Sequence, residues 1–186
     1  MLEHFFSPKT VAVVGASREE GKVGHDLFKN LVNHGYKGKI YPVNPHADNI
    51  LGIKTYTALK EIPDKIDLAV IVVPAPYVGK TVDECIEKGI DSIIVISAGF
   101  KESGIDGAAR ERELYQKIKQ HSIRMLGPNC LGLIDTQSAL NASFAADMPV
   151  PGNIAFFSQS GALCTSILDW AVNECIGFSK FISMGN

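Results

Sequence analysis

The sequence predicts an α/β protein built on a parallel sheet with helices on both faces. Three observations predict it. Apolar, largely β-branched runs at 11–14, 66–73 and 92–97 carry no polar alternation, as strands buried on both faces do. Helix-length stretches with apolar residues at 3.6-residue spacing separate them. The first run ends abruptly in Gly15, Ala16 and Ser17, and Gly21, Lys22, Val23 and Gly24 follow a short polar loop. Right-handed crossovers between such strands give a doubly wound, Rossmann-like domain.

Taken in order, 11–14 reads as the first strand. Residues 23–33 read as a helix, with Leu27, Leu31 and Val32 at helical spacing, ended by His34 and Gly35. Residues 39–43 form the second strand. A short helix is expected over 56–61, stopped by Ile62 and Pro63. The run 66–73, apolar but for Asp67, ends at Pro74, and 76–88 reads as a helix. The run 92–97 is a further buried strand, 107–121 a charged helix and 123–126 another strand. From 127 to 152 the pattern changes: 138–151 is small and polar, with Pro149 and Pro151 near its end, and reads as a connector. Alternation then restarts with a strand at 153–157, a turn at Ser158, Gln159, Ser160 and Gly161, a helix at 162–173 and a strand at 178–183. The expected domains are 1–127, a connector 128–151, and the incomplete start of a second domain at 152–186. One βαβ unit cannot bury both faces of its own sheet. Either the chain is a piece of a longer protein, or its tail packs on the first domain.

Composition narrows the function. The chain has 186 residues, 46% of them hydrophobic and 20% charged, with a net charge of −2. That balance gives no general affinity for nucleic acid or an anionic membrane, so any basic site is local. The four cysteines, Cys85, Cys130, Cys164 and Cys175, form no Cys-x-x-Cys pair and have no histidine at metal-ligand spacing. They read as reduced thiols, with no metal site expected. The start of the chain has no basic segment and no long apolar core, and the longest apolar run, 68–75, is too short to span a bilayer. A cytoplasmic protein is expected.

Ligands of doubly wound sheets bind at the carboxyl ends of the strands. Here those ends carry Gly15, Ala16 and Ser17; Asn44 and Pro45; Val73, Pro74 and Ala75; Ser97, Ala98 and Gly99; and Gly127, Pro128, Asn129 and Cys130. Ordinary turns select the same residue types, but their concentration on one rim points to a site. The first loop is neither the dinucleotide fingerprint, since Ser17 stands where Gly belongs, nor a Walker A loop, since Val23 follows Lys22. Its glycines admit close backbone approach and the helix start offers unpaired N–H groups to an anion, with the charge of Lys22 beside them. A NAD site would place a carboxylate about 20 residues on; Asn44, Pro45 and His46 stand there instead, which suits a nucleotide with a phosphate on its ribose. Ser158, Gln159, Ser160 and Gly161 repeat the strand–turn–helix logic, either as a helix cap alone or as a second anion cradle. They lack the leading glycine of a nucleophile elbow. The five histidines have no acidic partner that the sequence places; His25 lies in the first turn after the loop, within reach of a ligand. Cys130 reads as a small residue packed in a tight Pro-Asn turn.

In order, Gly-Ala-Ser-x-x-x-Gly-Lys-Val-Gly, Tyr-Pro-Val-Asn-Pro, Val-Val-Pro-Ala, Ser-Ala-Gly-Phe, Gly-Pro-Asn-Cys-Leu-Gly and Phe-Phe-Ser-Gln-Ser-Gly-Ala resemble the α part of NDP-forming acyl-CoA synthetases, the group of acetate–CoA ligase (ADP-forming) and succinyl-CoA synthetase. The resemblance runs from Ser7 to Asn186. It implies an N-terminal CoA-binding domain and, from about Gly152, the first βαβ unit of a flavodoxin-like domain. In that family an acyl phosphate forms, its phosphoryl group moves to a histidine, CoA takes the acyl group, and the phosphohistidine passes phosphate to ADP on an ATP-grasp part that also holds Mg. The resemblance implies that Gly15, Ala16, Ser17, Gly21, Lys22 and Val23 hold the CoA nucleotide and phosphates. Asn44 and Pro45 would then sit by the ribose, Val73, Pro74 and Ala75 would flank the adenine or pantetheine path, and Ser97, Ala98 and Gly99 would line the thiol route. Asn129, Cys130, Ser158, Gln159, Ser160 and Gly161 would lie at the phosphohistidine site. The implied partners are a small carboxylic acid and the ATP-grasp β part, in the same chain or a separate subunit, within an oligomer. The sequence departs from the family twice: no histidine here matches the phosphate acceptor, and His46 stands where relatives commonly have Lys. A free-standing CoA-binding or CoA-sensing module is the alternative, with a NAD(P) oxidoreductase behind both.

Overall fold

The computed structural model describes residues 2–186. A short helix α1 (Glu3–Phe6) leads into β1 (Thr10–Val14), α2 (Val23–Asn33) and β2 (Lys39–Val43), then a two-stranded ribbon of β3 (Asn49–Ile50) and β4 (Ile53–Lys54). There follow β5 (Leu68–Ile71), α3 (Ala75–Lys88), β6 (Ser92–Val95), α4 (Ile105–Gln120) and β7 (Arg124–Leu126). The last part holds β8 (Gly132–Asp135), β9 (Leu140–Ser143), β10 (Pro151–Ser158), α5 (Gly161–Asn173) and β11 (Phe178–Ser183).

The first sheet is all parallel, in the order β2-β1-β5-β6-β7. Successive residues of its strands feed opposite cores, as period-two geometry requires. Ala12, Val14, Ala69, Ile71, Ile93 and Val95 pack under α3 and α4 with Val78, Val82, Leu114 and Ile118. Val11, Val13, Leu68, Val70 and Ile94 pack against Leu27, Phe28 and Leu31 of α2. Both faces are therefore covered, which is why these strands contain no polar alternation.

The structure corrects three expectations. Over 56–61 only a 3₁₀ turn forms, Leu59–Glu61. Just before it lies the unpredicted β3–β4 ribbon, closed by Leu51 and Gly52, both in the left-handed region at φ 49° and 78°. Leu-Gly is not one of the usual hairpin pairs, so the turn left little trace. The stretch 128–151 is no plain connector. It contains the β8–β9 hairpin, whose two strands are buried throughout. β8 pairs antiparallel with β11, and β11 pairs parallel with β10, giving a second sheet in the order β10-β11-β8-β9. Small residues such as Ala142 and Ser143 suit strands squeezed between layers, but their polarity resembles a loop. The hairpin's Leu133, Leu140 and Ala142 join the α2 core, while Ile134 packs with Cys164, Leu168 and Phe181. The third correction concerns His4, whose Nδ1 lies 3.0 Å from Asp91 and whose Nε2 lies 3.9 Å from Asp67, ending the search for its acidic partners.

The hairpin is pinned by a buried side chain. Asn30 of α2 donates to the backbone carbonyls of Ser143 and Ala145, at 2.9 and 2.8 Å. On the far side, β10 has no described partner beyond β11, and Phe157 and Trp170 are 69% and 57% exposed. No helix among the described residues is long and apolar enough to cross a membrane. Among the same residues no cluster of three or more His, Cys, Asp or Glu could hold a metal ion.

Candidate functional site

The chain leaves β1 through α2 to β2 on one side, then crosses to β5 on the other, so the switch point of the sheet lies between the carboxyl ends of β1 and β5. Gly15 sits there at φ 94°, its amide donating to the Val43 carbonyl at 3.0 Å. A Cβ on Gly15 would lie 2.9 Å from the Val72 carbonyl, and one on Gly24 would lie 2.1 Å from the Gly15 carbonyl oxygen. Two glycines thus let the first turn of α2 close down on the strand end.

The loop between them is braced from within. His25, buried, lies with Nδ1 3.0 Å from the Ser17 carbonyl, and the Ser17 hydroxyl accepts from the Glu19 amide. Asn44 donates to the Ala16 carbonyl at 2.8 Å and accepts from the His46 amide at 2.8 Å, tying the tips of β1 and β2 together. The Lys22 ammonium is held 2.7 Å from Glu19 on the surface, and Gly21 turns at φ 79° in open space. His25 and Asn44 therefore shape the loop from behind.

Two clefts open on this rim, and Val73 lines both. The larger, about 950 Å³, runs past Gly15, Asn44 and Pro45 and along α3, where Tyr77 and Lys80 face it, with Lys60 from the 3₁₀ turn also on its wall. The smaller, about 560 Å³, lies between the starts of α2 and α5. Val23, Pro74, Ser97, Ala98, Asn129, Cys130, Leu131, Phe144, Gly161 and Thr165 line it.

The floor of the smaller cleft is rigid. Asn129, in the left-handed region at φ 57°, donates its amide to the Ser97 carbonyl at 3.0 Å, and the Ser97 hydroxyl donates to the Val73 carbonyl. The Cys130 thiol is buried, lies 3.3 Å from the Val95 carbonyl, and is pushed up by burial to about 12, so it is no thiolate nucleophile. Gly99 gives its amide to Glu102 and takes Arg110 on its carbonyl. Glu102 also accepts from Phe100 and from Asn186, while Asn186 takes a hydrogen bond from Asn129. Burial opposes ionisation of Glu102, but the Asn186 and backbone N–H donors win and hold its carboxyl down at about 2.

At the start of α5, Ser160 is a true cap: its hydroxyl accepts from Leu163 at 3.2 Å, and the Ser158 hydroxyl accepts from the Ser160 amide at 3.1 Å. A Cβ on Gly161 would meet nothing within 4 Å, since the residue faces the open cleft.

A family model described as CoA binding domain matches residues 9–136. The chain belongs to the CoA-binding domain family. A second, succinyl-CoA ligase like flavodoxin domain, matches residues 151–186. Over its full length this family member is 49% identical to acetate–CoA ligase (ADP-forming) I of Archaeoglobus fulgidus, covering 27% of that relative. It is 46% identical to the α subunit of acetate–CoA ligase (ADP-forming) II of Pyrococcus furiosus, covering 40% of it. A solved dinucleotide-forming acetyl-coenzyme A synthetase 1 of Ca. Korarchaeum cryptofilum, in complex with phosphate and ADP, matches all of the chain at TM-score 0.95 and 42% identity, with 39% of that chain covered. The chain thus spans well under half the length of these relatives.

The CoA-binding fold brings most of the expected residues together on the two clefts. It leaves Lys22 paired on the surface, Ala16 fully buried, and Ser17, Gly99, Ser158 and Ser160 occupied in local hydrogen bonds. Gln159 and Ala75 line neither cleft. Sequence reasoning missed Lys60, Tyr77, Lys80, Phe144 and Thr165. Thr165 was findable, since it lies one helical turn after Gly161 and shares its face. Lys60 was not, because a 3₁₀ turn forms where a short helix is expected, and no local pattern says which way it aims the side chain.

Proposed function

We propose that this chain is the CoA-binding part of an ADP-forming acyl-CoA synthetase of the acetate–CoA ligase type, catalysing acyl-CoA + ADP + phosphate ⇌ acid + CoA + ATP. The observation that carries the reading is the pair of clefts sharing Val73 at the switch point. CoA is a bulky nucleotide joined to a long thin arm, and a wide cleft leading into a narrower one fits that shape. The glycine approach at Gly15 supports it, since a side chain there would meet the Val72 backbone before any ligand could.

In this reading the nucleotide lies in the larger cleft, beside Gly15, Asn44 and Pro45. The arm passes Val73 and Pro74 and brings the thiol past Ser97 and Ala98 into the smaller cleft. CoA supplies the thiol that accepts the acyl group. The residues of this chain bind it, orient it and keep water off the arm with the apolar walls of Val23, Leu131 and Phe144. The first turns of α2 and α5 face the same cleft with unpaired N–H groups, where Val23 and Gly161 stand. Fixed donors there stabilise negative charge at a transferring phosphoryl or acyl centre, and positioning supplies the rest of the rate. Asn129, Cys130, Ser158, Ser160 and Gly161 border the place where a phosphorylated histidine from further sequence would reach. The ADP and Mg sites belong to an ATP-grasp β part, in the same protein or a separate subunit of an oligomer. The acid is a small carboxylate, in keeping with a cleft of this size.

Calorimetric titration of the full natural protein with CoA and with NAD tests the assignment. CoA binding with NAD at least tenfold weaker is expected; equal or tighter NAD binding overturns it.

A further inference from the structure

We propose that Lys60 and Lys80 are the cations that recognise the phosphate on the ribose of CoA, with Tyr77 presenting its ring to the base. This rests on the larger cleft being the nucleotide site. A protein of net charge −2 must supply local positive charge to hold that phosphate. The smaller cleft is lined by no cation, and the larger one by Lys60, Lys80 and Lys88. Lys88 is committed, donating to the Ile62 carbonyl. The other nearby cations, Lys22 and Arg18, line neither cleft; Lys22 is paired with Glu19 on the surface, and Arg18 donates to the His46 carbonyl. His46 itself lines neither cleft.

Lys60 and Lys80 are different. Neither forms a salt bridge with any described residue, although both border a cleft that also contains carboxylates. Asp83 is already taken by Lys117, and Glu84 and Glu87, which line the cleft from the later turns of α3, form no salt bridge with either lysine. The two lysines come from separate elements, the 3₁₀ turn and α3, and line one cleft, so both can reach an anion bound in it. Tyr77, one turn before Lys80 on α3, is 62% exposed and on the same cleft. A solvated aromatic ring and two ammonium groups without a salt bridge on one cleft are the chemistry that takes a phosphorylated nucleoside.

The test compares CoA with dephospho-CoA, which lacks only that phosphate, in the full natural protein and in Lys60→Ala, Lys80→Ala and the double variant. Each single change should weaken CoA about tenfold and leave dephospho-CoA within about twofold, the size of one charge-assisted contact. The double variant should bind the two ligands alike. Tyr77→Leu should weaken both ligands equally. If the lysine variants keep the wild-type preference, or lose both ligands in parallel, the assignment of Lys60 and Lys80 is wrong. If the wild type binds neither ligand, the reading of the cleft as a CoA site fails instead.

Discussion

Replacing Glu102 by Gln tests whether the rim of the smaller cleft is held by one ionised carboxylate. Glu102 accepts from the amides of Gly99 and Phe100 and from the side chain of Asn186, and it prefers the charged form strongly, at about 2 against its ordinary 4.5. That difference corresponds to about 3.4 kcal/mol at about 1.36 kcal/mol for each tenfold change. The side chain is exposed, so solvent screening reduces it to about 1–2 kcal/mol. The lowered value makes the sign definite: the stabilisation is complete above 4.5 and is lost as pH falls from there towards 2. Glutamine keeps one acceptor but turns an NH₂ group on donors. Urea unfolding of both proteins should show a gap of about 1–2 kcal/mol at pH 7, roughly halved by about pH 3. A gap that is the same at both pH values would refute the charged-acceptor reasoning and leave only a packing defect.

Other perturbations follow from the same geometry. Asn30→Leu removes two buried hydrogen bonds to Ser143 and Ala145 and leaves their carbonyls unpaired, so about 2–3 kcal/mol of stability should be lost in chemical denaturation; less than 1 kcal/mol would mean the hairpin is docked by apolar contact alone. Gly24→Ala drives a methyl against the Gly15 carbonyl, and roughly 2–3 kcal/mol of destabilisation should accompany a marked loss of CoA affinity in thermal-shift and binding assays; unchanged values would show that α2 can slide without penalty. Ser160→Ala should cost about 1 kcal/mol as a lost cap. In the complete enzyme it should also slow histidine phosphorylation more than it weakens CoA binding, and unchanged phosphorylation would reduce the turn to a cap.

Much of this was readable from residues because it depended on local rules. The boundaries of α2 and of β2 follow from apolar spacing, the His34–Gly35 stop and the Pro45 tip. The rim could be listed because parallel strands end in residues that turns require. What escaped was set by contacts between distant segments. Lys22 reads as a phosphate ligand in sequence; the structure adds a surface pairing with Glu19, three residues earlier. Asn44 reads as a ribose contact in sequence; that its amide also ties the Ala16 carbonyl across to β2 is a contact the sequence does not show. The β8–β9 hairpin was hidden because its burial comes from α2 on one side and α5 on the other, neither adjacent in sequence. The Glu102–Asn186–Asn129 chain of hydrogen bonds joins residues more than fifty positions apart and leaves no pattern at all.

That hairpin has a dynamic consequence. Many ligand-binding proteins of two halves work as jaws, opening about a slack linker to admit a ligand and shutting to trap it. Here the stretch between the halves is itself core, wedged between α2 and α5 and latched by Asn30, so there is no slack to bend. The helix starts at Val23 and Gly161 are fixed to a common block and cannot spread apart without tearing apolar contacts on both sides. The cleft between those two helix starts therefore behaves as an anvil, a fixed block against which a bound group is held.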